Sequence, residues 1–196
     1  MISIFDKKKE DLKLDFENAG IKGYRVDQLW QAIYVDLYSD FNEIKTLPSE
    51  AIDYLKSSHV ASPLQLVVKR KSKDKSTDKY LWKLHDNKLI ETVLMRYDED
   101  GHRRRRRTVC ISSQVGCALD CKFCATGQQG FSRQLTVGEI VSQVIEIKKD
   151  LLIEEGRPFN NENNLNIVFM GMGEPLANYS RTIEAAKRFN DQKGLN

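Results

Sequence analysis

Apolar residues recur at helical spacing in the first third of the chain. Between residues 25 and 38 they stand at i, i+3, i+4, i+7 and i+11 (Val26, Leu29, Trp30, Ile33 and Leu37), which predicts an amphipathic helix. Weaker patterns predict a helix over residues 6–19, ended by two glycines within 20–23, and a third helix that begins near Pro48. Residues 1–60 are therefore predicted to form a small helical domain.

After residue 63 the helical spacing gives way to short apolar runs. The runs 64–68, 80–84 and 89–95 predict three antiparallel strands. The polar stretch 69–79 between the first two predicts a long hairpin loop, and Asp86-Asn87 predicts the next turn. Residues 61–107 are therefore predicted to be an antiparallel β connector with basic loops.

Strands and helices alternate from residue 108 onward. A strand over 108–111 precedes a helix that should begin at the capping box Thr136-Val-Gly-Glu139 and end at Gly156. A strand over 166–170 and a helix over 182–189 follow. This alternation predicts parallel β/α units, whose right-handed connections bring the loops after both strands to the same edge of the sheet.

Composition limits the classes of protein that the chain can represent. Of 196 residues, 40% are hydrophobic and 30% are charged, and no apolar run approaches the 18 residues of a membrane span. We therefore expect a cytoplasmic protein without a membrane segment. The net charge is only +3, but residues 60–108 hold 14 Lys and Arg against 7 Asp and Glu. Such a local surplus is typical of contact with a polyanion, although a solvated loop is the alternative.

Three of the four cysteines stand within eight residues, in Cys117-Ala-Leu-Asp-Cys121-Lys-Phe-Cys124. Thiolates at this spacing can converge on one soft metal centre and leave a coordination position free, which favours an iron-sulfur cluster. Structural zinc with Cys110 as fourth ligand is the main alternative, although the chain has no second Cys or His knuckle. Inert buried thiols are a third interpretation. Disulfides are disfavoured because they would close only small loops.

The spacing Cys-x-x-x-Cys-x-aromatic-Cys resembles the radical S-adenosylmethionine signature. The longer segment 108–133, with Met170-Gly-Met-Gly-Glu-Pro175, resembles the RlmN/Cfr family of adenosine C-methyltransferases, and the resemblance covers nearly the whole chain. It implies an α/β fold: residues 108–196 as the N-terminal part of a partial (β/α) radical S-adenosylmethionine barrel of about two β/α units. It also implies that residues 1–60 recognise RNA.

The resemblance implies two cofactors and the residues that hold them. Cys117, Cys121 and Cys124 would bind three irons of a 4Fe-4S cluster, and S-adenosylmethionine would chelate the fourth. Phe123 would lie near the adenine of that cofactor.

Five further residues receive roles from the resemblance. The turn made by Gly173, Glu174 and Pro175 would bind S-adenosylmethionine, since glycine permits close backbone approach and a carboxylate can accept hydrogen bonds from an ammonium group. Glu91 would be the base that removes a proton from the adenosine adduct. Cys110 would be the cysteine that resolves the adduct through a disulfide.

The implied reaction methylates adenosine at C2, as in RlmN, or at C8, as in Cfr, through a methyl-cysteine and a covalent RNA adduct. The C2 reaction is our preferred interpretation. The substrates would be 23S ribosomal RNA in the peptidyl-transferase region and tRNA on the 3′ side of the anticodon. A flavodoxin-like protein would donate electrons, and the full-length protein would be a monomer.

A run of five arginines follows the connector, and we interpret it as an RNA contact because guanidinium groups can bind phosphate in bidentate fashion. The run comprises Arg103, Arg104, Arg105, Arg106 and Arg107. A solvated loop is the alternative, and the run is longer than the family pattern leads us to expect.

The family pattern includes a methyl-carrying cysteine near the C terminus, whereas no cysteine follows Cys124 here. We therefore expect a form truncated at the C terminus, inactive in methylation by itself. An RNA-binding module with structural metal and no catalysis remains an alternative, and so does a radical S-adenosylmethionine enzyme with another substrate.

Overall fold

The computed structural model describes residues 2–97, 106–156, 165–191 and 195. The N-terminal part has two very short strands, three helices and two 3-10 turns, in the order β1 (Ile2–Ser3), a turn at Ile4–Asp6, α1 (Lys9–Asn18), α2 (Arg25–Tyr34), a turn at Phe41–Glu43, α3 (Ser49–Ser58) and β2 (His59–Val60). Strands β1 and β2 pair in parallel, which brings the two ends of this segment together.

Helix α2 is shorter than predicted because the chain leaves the helical conformation after Tyr34, and Leu37 takes a φ of 60°. Trp30 and Tyr34 are buried, whereas Tyr38 is exposed. The helically spaced aromatic residues therefore serve mainly as core.

The remaining elements build one large sheet, a small hairpin and three helices. They are β3 (Gln65–Lys71), β4 (Thr77–Lys83), β5 (Leu89–Tyr97), β6 (Arg106–Cys110), β7 (Gln114–Gly116), α4 (Ala125–Gln128), β8 (Phe131–Gln134), α5 (Val137–Glu155), β9 (Leu165–Val168), a 3-10 turn at Pro175–Asn178 and α6 (Tyr179–Phe189). The large sheet has the order β3-β4-β5-β6-β9. Neighbours from β3 to β6 are antiparallel, whereas β6 and β9 are parallel. The fold is therefore α/β with a mixed sheet.

The hairpin between β3 and β4 differs from the prediction of a long loop over 69–79. Strand β3 continues to Lys71 and β4 begins at Thr77, so only residues 72–76 form the turn. Lys69 and Lys71 each place the amino group against Glu154 of α5, at 2.8 and 2.5 Å from Oε1. The carboxylate of Glu154 thus neutralises lysines that are distant from it in sequence. The residues around these lysines do not predict this pairing.

Helix α5 begins and ends as predicted. The Thr136 hydroxyl accepts from the Glu139 amide at 3.1 Å and the Glu139 carboxylate accepts from the Thr136 amide at 2.9 Å, while Gly156 ends the helix with a φ of 64°. The Asp6 carboxylate also accepts from the Gly138 amide at 2.6 Å and from the Thr136 hydroxyl at 3.2 Å. Burial raises the pKa of Asp6 above its usual value, although these two hydrogen bonds lower it in part. The N-terminal segment is thus fastened to the start of α5.

One apolar core connects the three predicted segments. It runs from Phe5 and Leu29 in the N-terminal part, through Ile90 on the sheet, to Ile140 and Val144 on α5. The boundaries near residues 60 and 107 therefore stay predictions. None of the helices within the described ranges is both long enough and apolar enough to cross a membrane.

Candidate cluster and substrate site

The loops after β6 and β9 leave the sheet side by side. Because these strands are parallel and in register, with Cys110 opposite Val168, their carboxyl ends lie at the same edge. The Gly171 amide donates to the Ile111 carbonyl at 3.0 Å, and the Ser113 amide donates to the Met172 carbonyl at 2.8 Å. The Gly-Met-Gly-Glu-Pro turn is therefore bonded to the segment that leads to the cysteine loop, as the predicted topology requires.

Two glycines permit this close approach of the two backbones. A Cβ atom on Gly171 would lie 2.7 Å from the carbonyl of Ile111, which is backbone and cannot give way. Gly173 has a φ of 95°, and a Cβ there would lie 2.4 Å from Cβ of Gln114. Larger residues at either position would separate the turn from its neighbour.

Glu174 is held at the head of the following 3-10 turn. Its amide donates to Oε1 of Gln114 at 2.9 Å, and its own Oε1 accepts from the Leu176 amide at 2.9 Å. Pro175 occupies the first position of that turn. One carboxylate oxygen of Glu174 is therefore engaged locally, and the half-buried side chain retains a second oxygen for another donor.

A buried chain of polar groups supports this edge from beneath. Gln143 on α5 accepts from the Ser112 amide at 2.8 Å and from the Thr92 hydroxyl at 2.9 Å, and it donates to the Ser112 carbonyl at 2.9 Å. The Ser112 hydroxyl donates to the Glu91 carbonyl at 2.6 Å and accepts from the Met172 amide at 2.9 Å. Ser112 thus joins three elements at one point.

Sequence reasoning did not single out Ser112 or Gln143. The available signal was a glutamine within the apolar stripe of α5, directly before Val144. A fully buried side-chain amide needs hydrogen-bond partners. Its position therefore predicts that backbone N–H or C=O groups of another element lie within hydrogen-bond distance.

The cysteine loop, residues 117–130, connects the paired strands β7 and β8. A Cβ on Gly116 would collide with the carbonyl oxygen of Gly130, so the base of the loop closes tightly. All three loop cysteines are free thiols and partly exposed, and Phe123 is 93% exposed. Within the loop, the Cys124 amide donates to the Cys121 carbonyl at 3.0 Å. The loop is therefore preformed locally, and its cysteines are partly exposed.

The donor set of this loop suits an iron-sulfur cluster. Backbone N–H groups of Gly127 and Thr126 point at the Cys124 sulfur and lower the pKa of that thiol, which favours the thiolate that metals bind. Among the described residues, the three loop sulfurs do not all lie within 4.8 Å of one another. Tetrahedral zinc, with Zn–S bonds of about 2.3 Å, would hold its sulfurs about 3.8 Å apart. The three loop sulfurs therefore do not form a preassembled zinc site within the described residues.

Cys110 lies apart from that loop, at the carboxyl end of β6. It stands opposite Val93 of β5 on one side and Val168 of β9 on the other. Burial raises the pKa of its thiol, although the Met170 amide donates a hydrogen bond to the sulfur. The thiol therefore remains protonated at neutral pH in this setting.

Glu91 lies on the same face of the sheet as Cys110, one strand away. Alternation from Val93 places Glu91 on that face and at the edge where Cys110 also lies. Its Oε1 is 2.8 Å from the Lys79 amino group. The structure therefore brings Glu91, Cys110 and the Gly-Met-Gly-Glu-Pro turn to one edge of the sheet.

The five arginines do not share one environment. Arg103, Arg104 and Arg105 lie outside the described residues. Arg107 is 4% exposed and forms an ion pair with Glu155 of α5, so its predicted contact with RNA is not compatible with this burial. Arg106 is exposed, with its guanidinium 4.4 Å from the centre of the Tyr97 ring.

A solved structure has the same fold. A radical SAM methyltransferase from Sphaerobacter thermophilus matches all of this chain and 54% of its own chain, with a TM-score of 0.88 and 35% sequence identity. The chain therefore has the fold of about half of a radical SAM methyltransferase, and its cysteine loop lies within that fold.

Curated relatives indicate which radical S-adenosylmethionine methyltransferases the chain is similar to. The dual-specificity RNA methyltransferase RlmN of Aliarcobacter butzleri is 40% identical over 200 residues, 98% of this chain and 52% of the relative. A probable RlmN of Thermosipho melanesiensis is also 40% identical, over 100% of this chain and 53% of the relative. Over its whole length the chain is similar to RlmN proteins, and it spans about half the length of the curated relatives it matches. No protein-family model matches it.

Proposed function

We propose that this chain carries the cluster-binding part of a radical S-adenosylmethionine enzyme that methylates C2 of adenosine in 23S ribosomal RNA and tRNA. The observation that carries the proposal is the junction of the cysteine loop, the Gly-Met-Gly-Glu-Pro turn and Cys110 at one edge of the sheet. The names of the relatives, RNA methyltransferases of dual specificity, support the substrate class. Methylation at C8 is the alternative regiochemistry.

In this proposal Cys117, Cys121 and Cys124 hold a 4Fe-4S cluster. A reduced cluster with bound S-adenosylmethionine supplies a carbon radical that can abstract hydrogen from an unreactive position. Phe123, which is exposed within the loop, covers the adenine of the cofactor in this proposal.

The turn residues Gly173, Glu174 and Pro175 bind the methionyl end of the cofactor. Glycine keeps the turn close to Gln114, and the free oxygen of Glu174 accepts from the ammonium group. Glu91 acts as the base and Cys110 as the resolving thiol. The low acidity of Cys110 suits a thiol that should stay unreactive until substrate arrives.

The proposal extends to cellular partners. A flavodoxin-like protein supplies electrons, the complete enzyme is a monomer, and it works in the cytoplasm. Residues 1–60 contact RNA, and so do the arginines at positions 103–106, of which Arg106 is exposed.

Anaerobic reconstitution with iron and sulfide tests the cluster. We expect about four iron and four sulfide per chain and a brown colour that oxygen bleaches. Cys121→Ala should lose the colour, whereas Cys110→Ala, the matched control outside the loop, should keep it. Tight zinc that depends on Cys110 would contradict the proposal and favour a metal-stabilised RNA-binding module.

A further inference from the structure

Side chains alternate along β3, β4 and β5, and this alternation divides the basic residues of the connector between two faces of the sheet. On the face that packs against α5, the Arg96 guanidinium lies 2.8 Å from Oδ2 of Asp78 and 2.8 Å from Oε2 of Glu154. Lys69 also lies 2.8 Å from Glu154. We call this the closed face. Its cations are matched by carboxylates within the fold.

Basic residues on the other side form what we call the open face, defined by Arg70, Lys79 and Lys83. The strand register places Arg70 opposite Lys79, Lys79 opposite Val93, and Val93 opposite Cys110. These four residues make one row across four adjacent strands. Since neighbouring strands are about 4.8 Å apart, Lys79 stands about 10 Å and Arg70 about 14 Å from Cys110.

The charge of the open face is largely uncompensated. Of the carboxylates in the described ranges, none forms an ion pair with Arg70 or Lys83, and Lys79 is paired with Glu91 alone. Along the row, the half-buried Val93 separates Lys79 from Cys110, and Glu91 lies two residues before Val93 on the same face. The open face therefore carries positive charge next to the candidate reacting residues, with Val93 between the cations and Cys110.

We propose that the open face binds the RNA backbone beside the nucleotide that is brought to Cys110 and Glu91. Phosphates are the partner that this chemistry recognises, because arginine binds them in bidentate fashion and lysine as a point charge. The inference rests on the proposed function in taking RNA as the substrate class. It adds Arg70, Lys79 and Lys83, which that proposal does not include.

Fluorescence anisotropy of a fluorescein-labelled stem-loop RNA, with adenosine in its loop, tests the proposal without any cluster. The test variant is Arg70→Gln/Lys83→Gln. The control, Lys71→Gln/Lys187→Gln, removes the same charge from a closed-face lysine paired with Glu154 and from the exposed side of α6. Titrations are repeated over a series of KCl concentrations, and circular dichroism checks that every variant is folded.

We expect the test variant to bind roughly 10- to 30-fold more weakly near 0.1 M salt, because two phosphate contacts and their counterion release are lost. The slope of log K against log salt should fall in magnitude by about 1.4. The control should stay within about twofold of the unaltered chain.

Three results would overturn the inference: no RNA binding by the unaltered chain, equal weakening in both double variants, or unchanged binding in the test variant. Unchanged binding in the test variant would leave the proposed function intact, since RNA would still bind. Failure of the reconstitution experiment would count against the proposed function, because anisotropy does not depend on the cluster.

Discussion

The closed and open faces of the sheet both carry basic residues, but these residues have different surroundings on the two faces. On the closed face, Asp78 is fully buried and pairs with Arg96, and Tyr80 donates to Asp150 of α5. On the open face, Arg70 and Lys83 have no such partner among the described carboxylates. A charge that is buried in the fold is costly to leave without its partner, whereas an unpaired charge at an exposed surface is available to a ligand.

Net charge alone therefore does not locate an RNA surface. The surplus of the connector in the sequence counts closed-face and open-face residues together. Only the strand register distinguishes the cations that pair with carboxylates of α5 from the cations on the opposite face of the sheet.

The largest contrast should come from two adjacent residues, Asp78 and Lys79, whose side chains lie on opposite faces. Asp78→Ala leaves Arg96 and Lys69 with fewer partners in a buried setting, and we expect it to lower the free energy of unfolding by about 3 to 5 kcal/mol. Lys79→Gln should change it by less than about 1 kcal/mol, because that pair is exposed. Urea unfolding measures both, and similar losses would remove the distinction between the faces.

A smaller effect should follow from Gln143→Leu, beneath the closed face. The change leaves the Ser112 amide and carbonyl without their Gln143 partner, and it removes the acceptor of the Thr92 hydroxyl, whose oxygen still accepts from the Trp82 indole; we expect a cost of about 2 kcal/mol. Amide exchange at Met172 should also become faster, because Ser112 holds that amide.

Ser142→Ala is the matched control on α5, since its buried hydroxyl has no partner within the described structure. It should be neutral or slightly stabilising. Equal losses in the two variants would mean that packing on α5, rather than the polar chain, holds this edge.

Local chemistry explains which parts of the fold were predictable. The capping box and Gly156 act through neighbouring residues, so both ends of α5 could be read from the sequence and are confirmed. The parallel arrangement of β6 and β9 also follows from the alternation of strands and helices, and it explains why two distant motifs meet.

Partners distant in sequence explain what the sequence did not reveal. Lys69 meets Asp150, 81 residues away, so the extent of the hairpin strands depends on a helix that comes later. Arg107 looks like its four neighbours in the sequence, yet the alternation of β6 turns it towards Glu155. The roles of Glu91, Cys110 and the cysteine loop rest on resemblance and stay predictions.

The smallest expected effect depends on pH and concerns Glu154, which joins the closed face to α5. Partial burial raises the pKa of Glu154, but hydrogen bonds from Lys69 and Lys71 outweigh it and bring the pKa to about 2, from 4.5 in the absence of such partners. Because the folded state then binds this proton more weakly than the unfolded state, the stability from Glu154 is complete above about pH 4.5 and is lost as the pH falls towards about 2.

Glu154→Gln should therefore lower the free energy of unfolding by about 1 to 2 kcal/mol at neutral pH, allowing for solvent screening of a partly exposed pair. Urea unfolding at several pH values should show this difference shrinking below pH 4.5 and vanishing near the lowest value, about 2. Glu50→Gln, which removes an exposed carboxylate without an ion pair in the described structure, should show no such trend. A difference that stays constant with pH would mean that Glu154 stabilises the closed face through packing of its side chain. The ion pairs of Lys69 and Lys71 would then contribute no more to the stability of the fold than Arg70 does.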